Sequence, residues 1–381
     1  MTSQKRINIL FVLQTFRTGG SERIVMDLCE NIDRNKFNPF VVGLVDGLMK
    51  EDLKKIDIET LCVNKAQYNT LKVMTRISKF IGDHHIDIIN AHHFTPFFYS
   101  FYGGKKNGCK IFYTGHTSHE IDLINVFWSM VGKTLLHFSD GAIAISDGVS
   151  DSIIKKFNLR KDKIFKIINA VDHQRFQTTI DPLQKREELN LKKDDQVIGI
   201  VGSLRRQKNH ANLIKAYNSV RQKINTVKLL IVGSGIGKGK REKDLHTLVK
   251  ELGLEEKVIF LGARLDIPEI LKVMDIYCLP SFFEGLPISL LEAMSAKLPV
   301  IGTDVIGIKD VIKNEKTGLL VPSNNPEKLA EALIRLLNNP GLRKELSENG
   351  YKYVLENHDK DKWINHYEKL FSESMQINHS Y

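Results

Sequence analysis

Short apolar runs alternate with amphipathic stretches along most of the chain. The runs are INILFVL, FNPFVVGLV, IDIINAHH, CKIFYTG, GAIAIS and IFKIINAV, followed by QVIGIVG, VKLLIVG, KVIFLG, IYCLP and LPVIGT. Apolar runs without polar alternation are typical of parallel strands that helices cover on both faces. The pattern therefore predicts an α/β protein built from doubly wound parallel sheets.

The alternation stops in a polar segment, residues 173–196, with the sequence HQRFQTTIDPLQKREELNLKKDDQ. We interpret this segment as the hinge between two Rossmann-like domains, residues 1–177 and 178–358, with the binding site in the cleft between them. The last segment, residues 359–381, carries apolar residues at helical spacing. We expect it to form a helix that packs back on the first domain.

Charge and cysteine content narrow the choice of ligand and compartment. Lysine and arginine number 55 against 45 aspartate and glutamate, which suits a phosphorylated ligand, an anionic membrane surface or nucleic acid. Nucleic acid is not expected, because the basic residues are spread through helices and no zinc-finger or RNA-binding signature is present. The four cysteines lack close pairing, as expected of free thiols in a cytoplasm, and no apolar run is long enough to span a bilayer.

Ligands of doubly wound sheets bind in the loops after the carboxyl ends of the strands, and the loop after IYCLP is the most informative. It places Glu284 just outside a predicted helix and Glu292 inside it, where each carboxylate could accept hydrogen bonds from neighbouring hydroxyls. The residues that lead into the helix are Gly285, Leu286 and Pro287. The N-terminal amides of such a helix are suited to phosphate. From this stretch alone, a solvated helix face explains the two glutamates equally well.

Cations and glycines follow two other strands. After QVIGIVG, the residues Arg205, Arg206 and Lys208 could neutralise a diphosphate and stabilise it as a leaving group. A basic loop of no special function is the simpler account of these three residues taken alone. After INILFVL, Gly19 and Gly20 precede a helix and open a possible anion-binding turn.

Neither a dinucleotide nor a metal is expected. In the stretch VGSGIGKGK, Gly233, Gly235 and Gly237 follow a strand, but no acidic residue closes the next strand as NAD binding requires. His92 and His93 end one strand and His116 follows another, yet no thiolate or carboxylate stands at metal-ligand spacing. We interpret His116 as a contact to a sugar or a phosphate.

In their order along the chain, these motifs resemble the group-1 family of retaining, nucleotide-sugar-dependent glycosyltransferases with the GT-B fold of two facing Rossmann-like domains. In the first half the similar stretches are TGGSERIVMDL, IDIINAHH, YTGHTSHE, AIAISDGVSDSI and INAVDHQRF. In the second half they are IVGSLRRQKNHANLIKAY, LLIVGSG, VIFLG, MDIYCLPSFFEGLPISLLEAMSAKLPVIGTD and KTGLLVP. The resemblance covers nearly the whole chain, and the stretch with the two glutamates is its most specific part.

The resemblance implies roles for individual residues. Glu284 would contact the donor sugar, and Glu292 the ribose hydroxyls. Lys208 matches the family lysine that binds the donor diphosphate, and His116 matches the histidine near the transferred sugar. No metal or other cofactor is implied beyond the donor substrate itself.

Further positions follow from the same resemblance. Gly19 and Gly20 match the loop that approaches phosphate or acceptor, and the nucleotide base is expected near Ala263, where backbone groups read it. Lys208, Arg206 and the amides between Gly285 and Ile288 would absorb the charge of the leaving diphosphate.

Three departures from the family pattern concern details of donor binding. Ser203 stands where the family has an arginine, and Arg206, or as the weaker candidate Arg205, is expected to replace it. Lys297 and Ala170 stand where glycine is usual. The predicted fold does not depend on these positions.

The expected activity is transfer of a sugar, with retention, from a UDP-linked donor to a hydroxyl of a glycan or a lipid-linked glycan. We expect a cytoplasmic enzyme, peripheral on the inner face of the cytoplasmic membrane, where the aromatic stretches HHFTPFFYSFYGG and LINVFWSMVG could contact anionic lipid. Core packing is the simpler account of both stretches. A nucleotide-sugar epimerase and a non-catalytic module for anionic glycans or nucleic acid stay open as alternatives. The sequence gives neither the sugar, the acceptor and the linkage nor the oligomeric state.

Overall fold

A computed structural model describes residues 5–17, 19–177, 180–235 and 239–376. The chain forms two compact units. Unit 1 is Met1–Asn169 together with Asp361–Tyr381, and unit 2 is Ala170–Lys360. The predicted domain boundary between residues 177 and 178 stays a prediction, because residue 178 lies outside the described residues.

Unit 1 is built on a parallel sheet with the strand order β3-β2-β1-β4-β5-β6-β7. Its strands are β1 (Ile7–Leu13), β2 (Phe37–Gly43), β3 (Glu59–Cys62), β4 (Ile88–His92), β5 (Lys110–Gly115), β6 (Gly141–Ala144) and β7 (Ile164–Lys166). Its first seven helices are α1 (Gly20–Asn31), α2 (Met49–Lys55), α3 (Thr70–Asp83), α4 (Phe94–Lys106), α5 (Ser118–Asp122), α6 (Val126–Phe138) and α7 (Asp147–Phe157). The strand order reverses beside β1, as in doubly wound folds.

Unit 2 contains a second parallel sheet with the order β10-β9-β8-β11-β12-β13. Its strands are β8 (Gln196–Val201), β9 (Val227–Val232), β10 (Val258–Gly262), β11 (Ile276–Leu279), β12 (Val300–Thr303) and β13 (Leu319–Val321). Its helices are α8 (Pro182–Glu188), α9 (His210–Arg221), α10 (Lys240–Glu251), α11 (Ile267–Lys272), α12 (Ile288–Ser295), α13 (Ile308–Val311), α14 (Pro326–Leu337) and α15 (Pro340–Asn357). The two sheets confirm the predicted fold class of two Rossmann-like α/β domains.

Short 3₁₀ turns complete the connections in both units. They comprise Lys65–Gln67, Lys161–Lys163, His173–Phe176 and Arg206–Lys208. Among the described residues, no helix is both long and apolar enough to cross a lipid bilayer.

Central strands are buried on both faces, which explains their continuous apolar sequence. All five residues of β4 are buried, and so are the last five of β1. The strand β3 lies at the edge of its sheet and contains the exposed Glu59, and β13 is a three-residue edge strand. The apolar pattern did not predict either of these, because an edge strand needs less apolar sequence than a central one.

The last helix, α16 (Lys360–Gln376), belongs to unit 1 from Asp361 onward. The ring of its Phe371 lies 6.4 Å from that of Phe11 in β1 and 6.2 Å from that of Phe112 in β5. Glu368 accepts a hydrogen bond from the backbone amide of Asp33 at 2.8 Å. The amphipathic end of the chain therefore covers the sheet that begins at residue 7.

Candidate active site

A cation–carboxylate cluster, partly buried, lies beyond the carboxyl ends of β8 and β11 in unit 2. Lys208, which ends a 3₁₀ turn, donates from Nζ to Glu284 Oε1 over 2.8 Å. Ser281 Oγ donates to the same oxygen at 2.6 Å, and Gln207 Nε2 reaches Oε2 at 3.3 Å. The Glu284 side chain is 6% exposed and that of Lys208 15%. The structure thus brings together two sequence-predicted residues that are 76 positions apart.

The loop that carries Glu284 is held by hydrogen bonds from neighbouring strand ends. Gln207 accepts from the Phe282 amide at 2.8 Å and donates from its side chain to the Phe283 carbonyl at 2.9 Å. Thr303, at the end of β12, donates to the Ser281 carbonyl at 2.5 Å. The sequence analysis did not identify Gln207 or Ser281, although both flank residues that it did identify.

A glycine from the next loop closes over the same backbone. Gly307 has a φ of +86°, and a Cβ added there would lie 2.6 Å from the carbonyl oxygen of Gly285 and 2.7 Å from that of Glu284. Only glycine fits both the dihedral angle and this close approach. The signal that could have found it is a glycine a few residues past a strand end, in VIGIKD.

Helix α12 begins directly after the loop. Pro287 is its N-cap, with a φ of −75°, and Leu286 before it is 7% exposed. Glu292 lies in the second turn and is 8% exposed, so it is not on a solvated helix face. The hydroxyl of Tyr277 in β11 donates to Ser289 Oγ at 2.8 Å and ties the helix to the sheet. Burial raises the pKa of Tyr277, so this hydroxyl keeps its proton.

Two other residues of unit 2 that were predicted to contact the donor are exposed. Arg206 begins the 3₁₀ turn that Lys208 ends and is exposed to solvent. Ala263 follows β10 and is exposed as well. The adjoining Arg264 donates to Asp266 at 2.7 Å and to Glu188 at 2.7 Å, and it holds the pKa of the Asp266 carboxyl well below its usual range.

In unit 1, His116 lies just past the end of β5 and is 7% exposed. Its Nε2 is 2.9 Å from Nδ1 of His92, whose Nε2 is 3.0 Å from Oδ1 of Asn90. Asn90 donates from Nδ2 to Thr114 Oγ1 at 2.8 Å. Burial lowers the pKa of His92 to about 3 and that of His116 well below its ordinary value, with a further lowering from the neighbouring His93.

His93 joins this row to the first glycine loop. Its Nδ1 is 2.8 Å from Glu120 Oε2, and its Nε2 is 3.1 Å from Oγ of Ser21, which donates to Glu22. Its backbone has a φ of +75°, an unusual value for a side-chain-bearing residue. The cluster shows that β4 and β5 bring three histidines together at one edge of the sheet.

The predicted loop glycines lie at the start of α1. Gly19 is the N-cap of α1 in an extended conformation, and Gly20 is its first residue. A Cβ added at Gly19 would collide with the Glu22 carboxylate. Gly237, of the glycine-rich stretch after β9, lies outside the described residues.

Both sets of residues are suited to binding polar ligands. A buried lysine beside a carboxylate can neutralise phosphate while the carboxylate accepts from hydroxyls. Neutral histidines can accept or donate one hydrogen bond at each ring nitrogen. In the described ranges, no three His, Cys, Asp or Glu side chains are grouped as a metal site would require.

The chain has two Rossmann-like units, and a cation, a carboxylate and glycines follow the carboxyl ends of their strands. This combination is typical of the class of proteins that bind phosphorylated ligands. Family models agree with this geometry. The model described as glycosyl transferases group 1 matches residues 182–353, and that described as glycosyltransferase family 4 matches residues 18–175. Together the two models cover most of the chain, which is an enzyme of the glycosyltransferase class, and its second half matches group 1, as the sequence motifs predicted.

Individual relatives agree with this assignment. The chain is 28% identical over 303 residues to the "Putative glycosyltransferase EpsD" of Bacillus subtilis (strain 168), an alignment that covers 75% of this chain and 76% of that protein. It is 24% identical over 350 residues to the UDP-Gal:alpha-D-GlcNAc-diphosphoundecaprenol alpha-1,3-galactosyltransferase of Escherichia coli, covering 88% and 89% of the two chains. The crystal structure of Anabaena Alr3699/HepE in complex with UDP-glucose has the same fold, with a TM-score of 0.85 and 22% identity over 96% of this chain and 100% of that one.

Proposed function

We propose that the protein transfers a sugar from a UDP-linked donor to a hydroxyl of a glycan or lipid-linked glycan, with retention at the anomeric carbon. The observation that carries the proposal is the ion pair of the partly buried Lys208 with the buried Glu284 at the entry to α12. The name of the Escherichia coli relative supports a UDP-sugar donor and a diphosphoundecaprenol-linked acceptor, and the UDP-glucose complex of HepE supports the same donor class.

In this proposal Lys208 balances the charge that grows on the departing diphosphate. The amides before Ile288 would add their dipoles, and Arg206 would supply a second cation in place of the family arginine absent at Ser203. Glu284 would accept hydrogen bonds from sugar hydroxyls, with Ser281 and Gln207 fixing its carboxylate. The attacking hydroxyl would enter on the face that the diphosphate leaves, which retains the configuration without a covalent enzyme intermediate.

Donor binding is tested by the shift in melting temperature with UDP, GDP, ADP and CDP. We expect a selective shift with UDP that Glu292→Ala abolishes, because Glu292 is assigned to the ribose hydroxyls. Glu255→Ala, at an exposed position of the same unit, is the matched control and should keep the full shift. A UDP shift that survives in Glu292→Ala would contradict the ribose assignment.

Transfer itself is tested by UDP release in the presence of a lipid-linked glycan acceptor. We expect Lys208→Ala to lower kcat by roughly 10²–10³-fold, the usual effect of removing a group that stabilises developing charge. Lys215→Ala, an exposed lysine of α9, should leave kcat unchanged. Near-normal turnover in Lys208→Ala would sink the proposed role of the lysine, and release of an altered sugar nucleotide without acceptor would indicate an epimerase.

We also propose that unit 1 rests on the anionic inner face of the cytoplasmic membrane through α6. Val126, Phe127 and Met130 are 77%, 66% and 67% exposed, an unusual density of apolar surface for one short helix. Lys155 and Lys156 line a depression of about 530 Å³ together with Val126 and Met130. Asp122 also lines it, and its backbone carbonyl accepts from Lys156. Apolar side chains flanked by lysines suit an anionic lipid surface.

The other aromatic stretch contributes less to such a surface. In α4, Pro96 and Phe97 are buried, and the ring of Phe98 packs edge-on against Trp128 at 5.1 Å. Core packing therefore accounts for much of HHFTPFFYSFYGG, whereas LINVFWSMVG provides most of the exposed apolar side chains.

Co-sedimentation with phosphatidylglycerol vesicles at low salt tests the membrane proposal. We expect the protein to sediment with these vesicles and not with phosphatidylcholine vesicles, and to lose binding when Val126, Phe127 and Met130 are all changed to serine. The matched control changes Leu183 and Leu265, exposed apolar residues of unit 2, to serine. Equal sedimentation of the two variants would show that α6 is not the contact surface.

A further inference from the structure

Four polar side chains form one continuous hydrogen-bonded row in unit 1. It runs from Thr114 through Asn90 and His92 to His116, with successive distances of 2.8, 3.0 and 2.9 Å. The first three are fully buried at 0% exposure, and only His116 reaches the surface, at 7%. A buried row of this kind fixes the position of every proton along it, because each donor must face an acceptor.

The neighbouring His93 determines how many protons the row holds. Its Nδ1 faces the Glu120 carboxylate, which only accepts, and its Nε2 faces a serine hydroxyl already donating to Glu22. Both ring nitrogens of His93 must therefore donate, which makes this ring an imidazolium. It lies over His116 with ring centroids 4.6 Å apart. A cation at this distance disfavours a second charge, so His116 and His92 are neutral.

The orientation of Asn90 then sets the direction of the row. Since its amide nitrogen donates to Thr114, its Oδ1 must accept from Nε2–H of His92. A neutral His92 with that proton has an unprotonated Nδ1, which must accept from Nε2–H of His116. Neutral His116 is then left with an unprotonated Nδ1.

We infer that Asn90 and His92 are positioning residues that hold His116 as the Nε2-protonated tautomer, with Nδ1 as the acceptor for a hydroxyl of the sugar donor or of the acceptor substrate. The tautomer follows from the buried row together with the charge of His93, whereas the hydroxyl ligand rests on the proposed glycosyl transfer. His116 receives a direct role, and the other two residues act through it.

The tautomer can be measured without any substrate by long-range ¹H–¹⁵N NMR of the full chain labelled at histidine. We expect His116 and His92 to carry their single protons on Nε2 and His93 to carry two protons, with signals assigned from His116→Gln and His92→Gln. A wild-type His116 protonated at Nδ1, or at both nitrogens, would overturn the inference. The readout is made on the wild-type protein, and the two variants serve only to assign its signals.

Asn90→Asp reverses the row with almost no change in volume. The aspartate would accept from Nε2–H of His92 and favour a second proton on that ring, whose Nδ1–H would then donate to His116. His116 should therefore move its proton to Nδ1. Asn38→Asp, at a half-buried position of β2, is the matched control and should leave the His116 signals unchanged. If the His116 tautomer is unaltered in a folded Asn90→Asp protein, the inferred direction of the hydrogen bonds along the row is wrong.

A kinetic measurement separates this inference from the proposed function. Under glycosyl transfer, Asn90→Asp should lower kcat about 10-fold or more, with UDP affinity unchanged because Lys208 and Glu292 are untouched. Reversal of the tautomer with normal kcat would overturn the role of His116 in transfer. Absence of transfer by the wild type with the expected NMR tautomer would refute the proposed function and leave the tautomer standing.

Discussion

At the scale of single residues, the fold pairs two charged groups of low exposure, Lys208 and Glu284, that are both assigned to ligand binding. Placing a charged lysine and a glutamate in a site of low exposure is costly unless each satisfies the other. Lys208 and Glu284 do so, with added hydrogen bonds from Ser281 and Gln207. Such a pair contributes little net stability, since apolar residues of similar volume often serve as well. We therefore propose that the pair is present because it binds the ligand.

Gly307→Ala tests how the Glu284 loop is held. The added methyl would lie 2.6 Å from the Gly285 carbonyl, on a residue whose φ of +86° already disfavours a side chain. We expect a loss of about 1–3 kcal/mol in the free energy of unfolding from backbone strain, and a weaker melting-temperature shift with UDP because the loop must move. Urea unfolding and the nucleotide shift measure the two effects.

Gly253→Ala provides the matched control for this substitution. Gly253 also has a positive φ, of +62°, but a Cβ added there meets nothing within 4 Å. The Gly253→Ala variant should lose about 1–2 kcal/mol in the free energy of unfolding because of the dihedral angle alone, and it should keep the full melting-temperature shift with UDP. Equal UDP shifts in the two variants would show that Gly307 does not support the donor site.

At the scale of secondary-structure elements, the end of the chain completes a sheet that begins near its start. Helix α16 buries Trp363, Ile364, Tyr367, Leu370 and Phe371. Phe371 is fully buried between rings of β1 and β5, so its contacts join elements more than 250 residues apart in sequence. The packing of unit 1 thus depends on residues that follow the whole of unit 2.

Phe371→Ala should destabilise unit 1 by about 3–5 kcal/mol, the usual range for removing a fully buried phenylalanine. The loss in stability has two parts: the transfer free energy that burial of the ring contributed, and the cost of the cavity left between Phe11 and Phe112. Phe138→Ala removes a ring that is 60% exposed and should change stability by less than about 0.5 kcal/mol. Similar urea midpoints for the two variants would show that α16 does not stabilise the sheet.

At the scale of the whole molecule, buried neutral histidines make stability depend on pH in both units. Burial lowers the folded-state pKa of His92 and of His210 to about 3, against an ordinary value of 6.5 in the unfolded chain. Between these values the unfolded state binds more protons, so acid favours unfolding. The contribution is fully present above about pH 6.5 and is lost progressively as the pH falls toward 3.

Urea unfolding at a series of pH values below about 6.5 should show a decline of about 1.4 kcal/mol per pH unit for each such histidine. His210→Leu should make the decline shallower by one such increment, because it removes one buried ring that takes up a proton on unfolding. Identical slopes in the wild type and the variant would exclude His210 as a source of the pH dependence.

The amino-acid pattern alone predicts the class of the fold and most of its central strands. Those strands are buried on both faces and therefore have continuous apolar sequences, which can be recognised directly. The stretch with the two glutamates was the most specific part of the family resemblance. Edge strands β3 and β13 were not predicted, since an edge strand can be short or carry charge such as Glu59 without a penalty. The pattern of apolar residues along the chain reflects burial, and the strands at the edges of a sheet are the least buried.

Contacts between the polar residues of the site follow from the three-dimensional fold and not from local sequence. Nothing local links Lys208 to Glu284, Gly307 to the carbonyls of Glu284 and Gly285, or Asn90 to Thr114, because each contact joins the ends of different strands. Sequence motifs identified several of these residues as candidates. Which ring nitrogen of His116 carries the proton, however, depends on three side chains from two strands. Such properties arise from the register of a parallel sheet, which brings distant segments to one edge.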